Sequence, residues 1–385
     1  MQTRQERQQE YLGVGSLVYL DEVLDKEKPS SIFLVTGKNS YNHCGVQTRI
    51  EPFLRPYRVT SFSDFSVNPQ IEDVKKGISL FRQNQCDLVI AVGGGSVIDV
   101  AKSINFLAAQ YEVPEDYITK KSVAAHKPKP FVAIPTTAGT GSEATHFAVV
   151  YINKKKYSLA HQEWMLPQYV FLDPTLTYNL PKYITASTGA DVLCQAAESY
   201  WSTQSDKKSK LYAQQAITMA LQNLAGAVNN PTPQNREAML KAANLGGKAI
   251  NISKTTACHA VSYPMTSYFG VSHGHACTLT LGEMFVYNSK VMDSECLDKR
   301  GVEYVKRTML ELCALFSVQT AEEVRQKIDG LMDEIGLDRK LHLLNIITPE
   351  HHDVIVANGF NPERVKNNPR ELTEEALRAI LQRLS

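Results

Sequence analysis

The sequence predicts two domains, an α/β half built on a parallel sheet and an all-helical half after it. Three observations carry this. Short apolar runs alternate with helical periods through about the first 180 residues, as βαβ units require. Turns rich in glycine or hydroxyls follow two of those apolar runs directly. From about Thr185 onward, long alanine-rich helical periods take over. The domains are placed at 1–180 and 181–385, with 173–181 (DPTLTYNLP) as the hinge.

The elements follow in order. Residues 31–36 (SIFLVT) read as a strand ended by Gly37, and 57–60 as another. Residues 71–83 put Val74, Ile78 and Phe81 on one helical face. Residues 87–92 (DLVIAV) are a nearly continuous apolar run closed by glycines, the signature of a parallel strand covered on both faces. A helix is predicted over 96–109, then a buried strand over 131–134, stopped by Pro135. No strong strand signal follows Tyr178. Helices are expected over 212–227 and 236–250, with helix starts at Thr320 and at Thr348, the latter followed by Pro349.

Composition narrows the function. Of 385 residues, 43% are hydrophobic and 21% charged, enough apolar material for a sizeable core and too much for disorder. Lys plus Arg number 41 against 40 Asp plus Glu, so no dedicated nucleic-acid or membrane-surface binder is expected. No apolar run approaches the ~18 residues of a membrane span. Residues 1–10 (MQTRQERQQE) lack the apolar segment of a secretory signal. The seven cysteines are odd in number, scattered, and without a CxxC pair, which suits reduced thiols and a cytoplasmic location and argues against a thiolate metal site.

Two turns carry chemistry. Gly93-Gly94-Gly95-Ser96 follows a strand and opens a helix. Residues without a Cβ let the backbone approach a pyrophosphate, and the helix start offers unpaired N–H groups. The second turn, 135–143 (PTTAGTGSE), also follows a strand and is rich in hydroxyls that can donate to phosphate or ribose. Each alone also reads as a plain turn or cap. Together, at the carboxyl ends of neighbouring strands, they mark the crevice where open α/β sheets bind nucleotides. The order is not that of a GxGxxG fingerprint.

In the helical half, Asp191 and Gln195 lie four apart and share a helix face, as do His259 and Tyr263, and His273-Gly274-His275 follows. One carboxylate with two imidazoles suits a divalent metal and leaves room for water or substrate. Singly, such residues are more often structural. Cys258 beside His259 is not a nucleophile–base pair, because adjacent helical residues point about 100° apart.

These residues resemble the iron-containing (group III) alcohol dehydrogenases. The resemblance rests on 93–102 (GGGSVIDVAK), 135–143, Gly189-Ala190-Asp191 and His273-Gly274-His275, with Asn68-Pro69 and Asp173-Pro174 at matching spacing, and it covers about residues 10–380. It implies a dehydroquinate-synthase-like fold: an α/β nucleotide-binding domain, a helical domain, and a metal in the cleft between them. It implies that Gly94, Gly95 and Ser96 hold the pyrophosphate, with Asp99 in the same motif. Thr136, Thr137, Thr140 and Ser142 would line phosphate and ribose, and Lys156 would reach the nicotinamide ribose. Asp191, His259 and His273 correspond to metal ligands. The family's fourth ligand is a histidine; here that position is Gln195, a weaker donor to Fe²⁺ or Zn²⁺. Tyr263 is a second departure, at a position where histidine is common. The strings 190–199 (ADVLCQAAES) and 255–264 (TTACHAVSYP) resemble the phosphonoacetaldehyde reductase branch.

The implied function is metal-dependent reduction of an aldehyde by NAD(P)H, with no catalytic side chain beyond the metal centre. The substrate expectation is phosphonoacetaldehyde, giving 2-hydroxyethylphosphonate, with a generic alcohol or polyol dehydrogenase as the alternative. With no carboxylate at Gly37 and with Lys38 and Ser40 beside it, NADP is expected to be preferred over NAD. An anionic substrate tail is expected on Lys254, which lies a little over a helical turn before His259, on His146, on His275, or beside Tyr263. Expected partners are this small substrate and a second copy in a homodimer. Three other readings remain at this point: a non-haem iron oxygenase, a non-redox nucleotide-binding protein, and a dehydroquinate-synthase-like lyase.

Overall fold

The computed structural model describes residues 8–153 and 155–385, so most of the amino-terminal segment read above for a secretory signal lies outside the described residues. The chain divides into two compact units. One runs to Thr137 and resumes over Gly141–Leu180; the other comprises Ala138–Thr140 and Pro181–Ser385.

Among the described residues the first unit contains eight strands, β1 (Gln9–Leu12), β2 (Ser31–Thr36), β3 (Arg58–Phe62), β4 (Leu88–Gly93), β5 (Phe131–Pro135), β6 (Phe147–Ile152), β7 (Lys155–Ala160) and β8 (Tyr169–Leu172). Six form a parallel sheet in the order β1-β8-β5-β4-β2-β3, and β6 and β7 pair as an antiparallel ribbon. Helices α1 (Leu20–Glu27), α2 (Ser40–His43), α3 (Val46–Leu54), α4 (Ile71–Gln83), α5 (Gly95–Ala108) and α6 (Pro114–Ile118) connect them.

Strands β2, β4, β5 and β8 are buried at every position because helices cover both faces of the sheet. On one face Ile32, Leu34, Ile90, Val92, Ile134 and Phe171 join Leu20 and Leu24 of α1 and Val46 and Ile50 of α3 in one core. Each such side chain contributes about 1.5–3 kcal/mol by leaving water. On the opposite face Phe33 meets Phe81 of α4 edge-on, with ring centroids 5.4 Å apart. The chain turns back between β2 and β4, since β3 joins β2 on one side and β4 on the other. Thr36, Gly93 and Pro135 therefore end neighbouring strands on one edge of the sheet.

The second unit is helical: α7 (Lys182–Trp201), α8 (Lys207–Asn229), α9 (Pro233–Ser253), α10 (Ala257–Phe269), α11 (His273–Ser289), α12 (Val302–Leu315), α13 (Ala321–Ile335), α14 (Pro349–Gly359), α15 (Pro362–Val365) and α16 (Glu374–Leu384). Thr320 and Thr348 cap their helices through their side chains, as their spacing predicts. Helix α7 is buried without a break from Gly189 to Trp201. Burying a polar side chain costs free energy unless it finds a partner, yet this enclosed stretch of α7 keeps Asp191, Gln195 and Glu198. Among the described residues no strand follows β8, and no helix is long and apolar enough to cross a membrane.

Candidate active site

The helical unit gathers four donors, three of them buried and His273 half-buried. Asp191 comes from α7, His259 from α10, and His273 and Cys277 from α11, and their ligand atoms all lie within 4.8 Å of one another. Gly274 makes this approach possible: a Cβ there would sit 2.0 Å from the Ser187 carbonyl oxygen and 2.7 Å from Asp191 Cβ. Only a glycine lets the start of α11 close on α7.

Each imidazole is fixed by its far nitrogen. His259 Nδ1 meets Glu198 Oε2, which leaves Nε2 toward Asp191 Oδ1 at 3.5 Å. His273 Nδ1 lies 3.3 Å from Ser262 Oγ, whose own hydroxyl donates to the His259 carbonyl oxygen at 2.8 Å. Outer partners of this kind set the tautomer that presents Nε2 to a metal. Glu198 Oε1 also accepts from Thr256 Oγ1 and Cys258 N, both at 2.7 Å, and from His259 N at 3.3 Å. Its carboxylate thereby closes the N-terminus of α10, where negative charge is favoured.

Asp191 Oδ1 is buried and has no hydrogen-bond partner, a costly state that a cation resolves. Burial works against charge on His259, yet Cys277, Glu198 and Asp191 outweigh it and hold the imidazole well above the ordinary histidine range. Burial would raise the Cys277 thiol, but Cys194 and the two histidines outweigh it and hold the thiol well below its usual value. The cluster draws positive charge inward, and the residues present fit a divalent metal.

Gln195 stands apart in role. Its Nε2 donates to the Gly139 carbonyl oxygen at 2.9 Å, so the amide secures the 138–140 segment. The sequence reading missed Glu198 and Cys277, although both had a signal. Glu198 lies seven residues after Asp191, two turns along the same face, and Cys277 lies four after His273.

In the α/β unit, Thr136 N donates to the Gly93 carbonyl at 3.0 Å, which brings the two loops together. A Cβ on Gly94 would already touch Thr137 at 3.3 Å. Helix α5 begins at Gly95 with no side-chain cap, and Thr136 Oγ1 is buried without a hydrogen-bond partner. Both features suit an anionic ligand. Other expected contacts have protein partners. Ser96 Oγ donates to the Val67 carbonyl. Ser142 Oγ donates to Asp99, whose other carboxylate oxygen accepts from Val149 N at 2.9 Å. Lys102, wholly buried, donates to the Ser142, Thr145 and Phe147 carbonyls. Asp99 and Ser142 thus build the second loop from within. Lys156 lies on β7, where its charge reaches Asp99. Gly37 and Ser40 pack closely at the end of β2, and Lys38 pairs with Asp64 at 3.0 Å.

Residues 8–174 match the family "Iron-containing alcohol dehydrogenase", and residues 185–385 match "Fe-containing alcohol dehydrogenase family, C-terminal". The chain belongs to the iron-containing alcohol dehydrogenases. It is an oxidoreductase that works with a nicotinamide cofactor and a divalent metal, and the oxygenase, lyase and non-redox readings fall away. It is 33% identical over 309 residues to a phosphonoacetaldehyde reductase of Streptomyces viridochromogenes, covering 78% of this chain and 76% of that one. It is also 33% identical to a long-chain-alcohol dehydrogenase of Geobacillus thermodenitrificans, covering 84% and 81%. Among solved structures, a sulfoacetaldehyde reductase from Bifidobacterium kashiwanohense in complex with NAD⁺ superposes with a TM-score of 0.87 at 30% identity, covering 98% of this chain and 97% of that one.

Two substrate expectations for this dehydrogenase need correction. Lys254 does not lie on the helix of His259: it ends α9 with φ +62°, and α10 starts only at Ala257, so the helical-turn argument fails. His275 is buried with Nε2 on the Asp338 carbonyl at 2.7 Å and Nδ1 3.5 Å from Tyr183 Oη, and burial lowers its pKa. Both ring nitrogens thus meet protein groups, and burial favours the neutral form. His146 belongs to the α/β unit and rests against Phe147. Tyr263 lies beside His273, with ring centroids 6.3 Å apart. Its hydroxyl accepts from Nε of Arg364, a buried arginine that no local pattern announced.

Proposed function

We propose that this dehydrogenase reduces a small aldehyde carrying an anionic tail, phosphonoacetaldehyde foremost, to the corresponding alcohol, with NADPH as the hydride donor. One observation carries the reading: the buried Arg364 guanidinium lies 3.1 Å from Tyr263 Oη, and Tyr263 adjoins His273. A fixed cation one side chain away from the metal ligands suits a phosphonate or sulfonate, which a guanidinium recognises through charge-assisted hydrogen bonds. The named activities of the Streptomyces and Bifidobacterium relatives, both reductases of anionic two-carbon aldehydes, support it.

When bound, the metal supplies Lewis-acid polarisation of the carbonyl and the nicotinamide supplies hydride. The chain does the rest. Asp191, His259 and His273 present the donors, Glu198 and Ser262 hold both imidazoles with Nε2 inward, and Gly274 permits the approach of α11 to α7. In the α/β unit, Gly94, Gly95, Thr136 and Thr137 are the residues that would meet the cofactor's phosphates. Lys38 is the group that would meet a 2′-phosphate. Its pairing with Asp64 is exposed and screened by solvent, so a phosphate displaces it easily.

The test compares phosphonoacetaldehyde with an uncharged aldehyde of similar size, in wild type and in Arg364→Gln. A charge-assisted hydrogen bond is worth about 1.5–3 kcal/mol. Arg364→Gln should therefore raise KM for the anionic aldehyde roughly ten- to a hundredfold and leave the uncharged one nearly unchanged. A wild type with no preference for the anionic aldehyde would leave a generic alcohol dehydrogenase.

A further inference from the structure

We propose that the Cys277 thiolate is the fourth protein ligand of the metal, occupying the coordination place that Gln195 leaves open. The inference rests on the metal-dependent reading and adds to it a sulfur donor and the metal preference that follows.

The observations are geometric. His273 and Cys277 are four residues apart on α11, so their side chains lie one above the other on a single face. Cys277 is completely buried, and its Sγ lies 3.8 Å from each ring nitrogen of His273. In a tetrahedral shell, with a metal–sulfur bond of ~2.3 Å and a metal–nitrogen bond of ~2.0 Å, ligand S and N atoms sit roughly 3.5 Å apart. The Nε2 distance is close to this value, and a turn of the Cys277 side chain away from Nδ1 would bring Sγ into such a shell. Asp191 Oδ1, buried and without a hydrogen-bond partner, belongs to the same cluster, so a second side chain independently points to a cation there. Gln195 meanwhile spends its amide nitrogen on Gly139.

A set of one carboxylate, two imidazoles and one thiolate is softer than one of a carboxylate and three imidazoles. It favours zinc over the harder divalent ions relative to an all-nitrogen-and-oxygen site. Cys194 is the rival donor, because it groups with Glu198 and His259. Glu198 is occupied by the α10 N-terminus and His259 Nδ1, which makes that second group the weaker candidate.

The experiment loads metal-stripped full-length protein with Co²⁺ and verifies one cobalt per chain by elemental analysis. The expected wild-type spectrum shows visible d–d bands together with a near-ultraviolet thiolate-to-cobalt charge-transfer band. Cys277→Ser and Cys277→Asn should each keep the visible bands and lose the charge-transfer band, while Cys194→Ser keeps both. Wild type holding one cobalt without the charge-transfer band overturns the proposal, whatever the variants do. So does a band that persists in either Cys277 variant or that follows Cys194 instead. Nicotinamide-linked activity and cobalt stoichiometry are read separately. A metal-bound, active enzyme without the band defeats the thiolate alone, whereas failure to bind cobalt at all defeats the metal site itself.

Discussion

Glu198→Gln isolates the role of the carboxylate behind His259. Glutamine keeps the length and one oxygen, so contacts to Thr256 Oγ1, Cys258 N and His259 N can persist. What changes is the atom facing His259 Nδ1. The carboxylate accepts a hydrogen bond from Nδ1–H; the amide presents N–H there. Two donors cannot face each other, so His259 must shift its proton to Nε2, the nitrogen directed at Asp191. That tautomer cannot ligate through Nε2. Loss of an outer partner of this kind costs about 10–100-fold in metal affinity, or about 1.4–2.7 kcal/mol. The assay is competition for Zn²⁺ against a chelator of known affinity, with thermal unfolding of the apo-protein as the control. Glu198→Ala should behave differently: it leaves Cys258 N and His259 N buried without an acceptor, at about 1–3 kcal/mol each, and should lower apo-stability directly. A Glu198→Gln protein that binds zinc within threefold of wild type would refute the reasoning.

Further outcomes follow from the same structure. Asp191→Ala, His259→Ala and His273→Ala should each lose metal on elemental analysis and lose activity while keeping wild-type far-UV circular dichroism. Gln195→Ala should retain metal and lose about 1–3 kcal/mol of stability through the stranded Gly139 carbonyl. NADPH should give a higher kcat/KM than NADH, and Lys38→Ala should erase the difference; a clear NADH preference in wild type would contradict the role given to Lys38. Burial depresses Lys102 to about 8 from 10.5. Between those values the unfolded chain holds a proton the folded chain has lost, so Lys102 makes stability rise with pH across that window and adds no slope below it. The Tm of wild type minus that of Lys102→Met should climb from pH 8 to 10, and parallel curves would contradict this.

Much of this was legible in the sequence, for local reasons. Helix α4 follows the predicted 71–83 span because Val74, Ile78 and Phe81 repeat at helical spacing against a buried sheet. Strand β4 was readable because a strand covered on both faces is apolar throughout. Strand β1 left no such mark. It is four residues long, lies at the sheet edge with mixed exposure, and pairs with β8 some 160 residues away. The β6–β7 ribbon was also missed, since its faces are mixed and its pairing is tertiary. At the site, Asp191, His259 and His273 came from spacing and resemblance. Arg364 could not, because it meets Tyr263 across 101 residues through helix packing. Lys254 misled because sequence distance was converted into helix geometry across a break that only the φ of +62° reveals.

The most direct test of the central claim is metal-dependent turnover. Protein stripped of metal is titrated with Zn²⁺ or Fe²⁺ while NADPH oxidation by phosphonoacetaldehyde is followed by the loss of nicotinamide absorbance. The account predicts no turnover without metal and a rate that rises in proportion to occupancy up to one metal per chain, with Asp191→Ala silent throughout. Full turnover by metal-free wild type, or by metal-free Asp191→Ala, would contradict it.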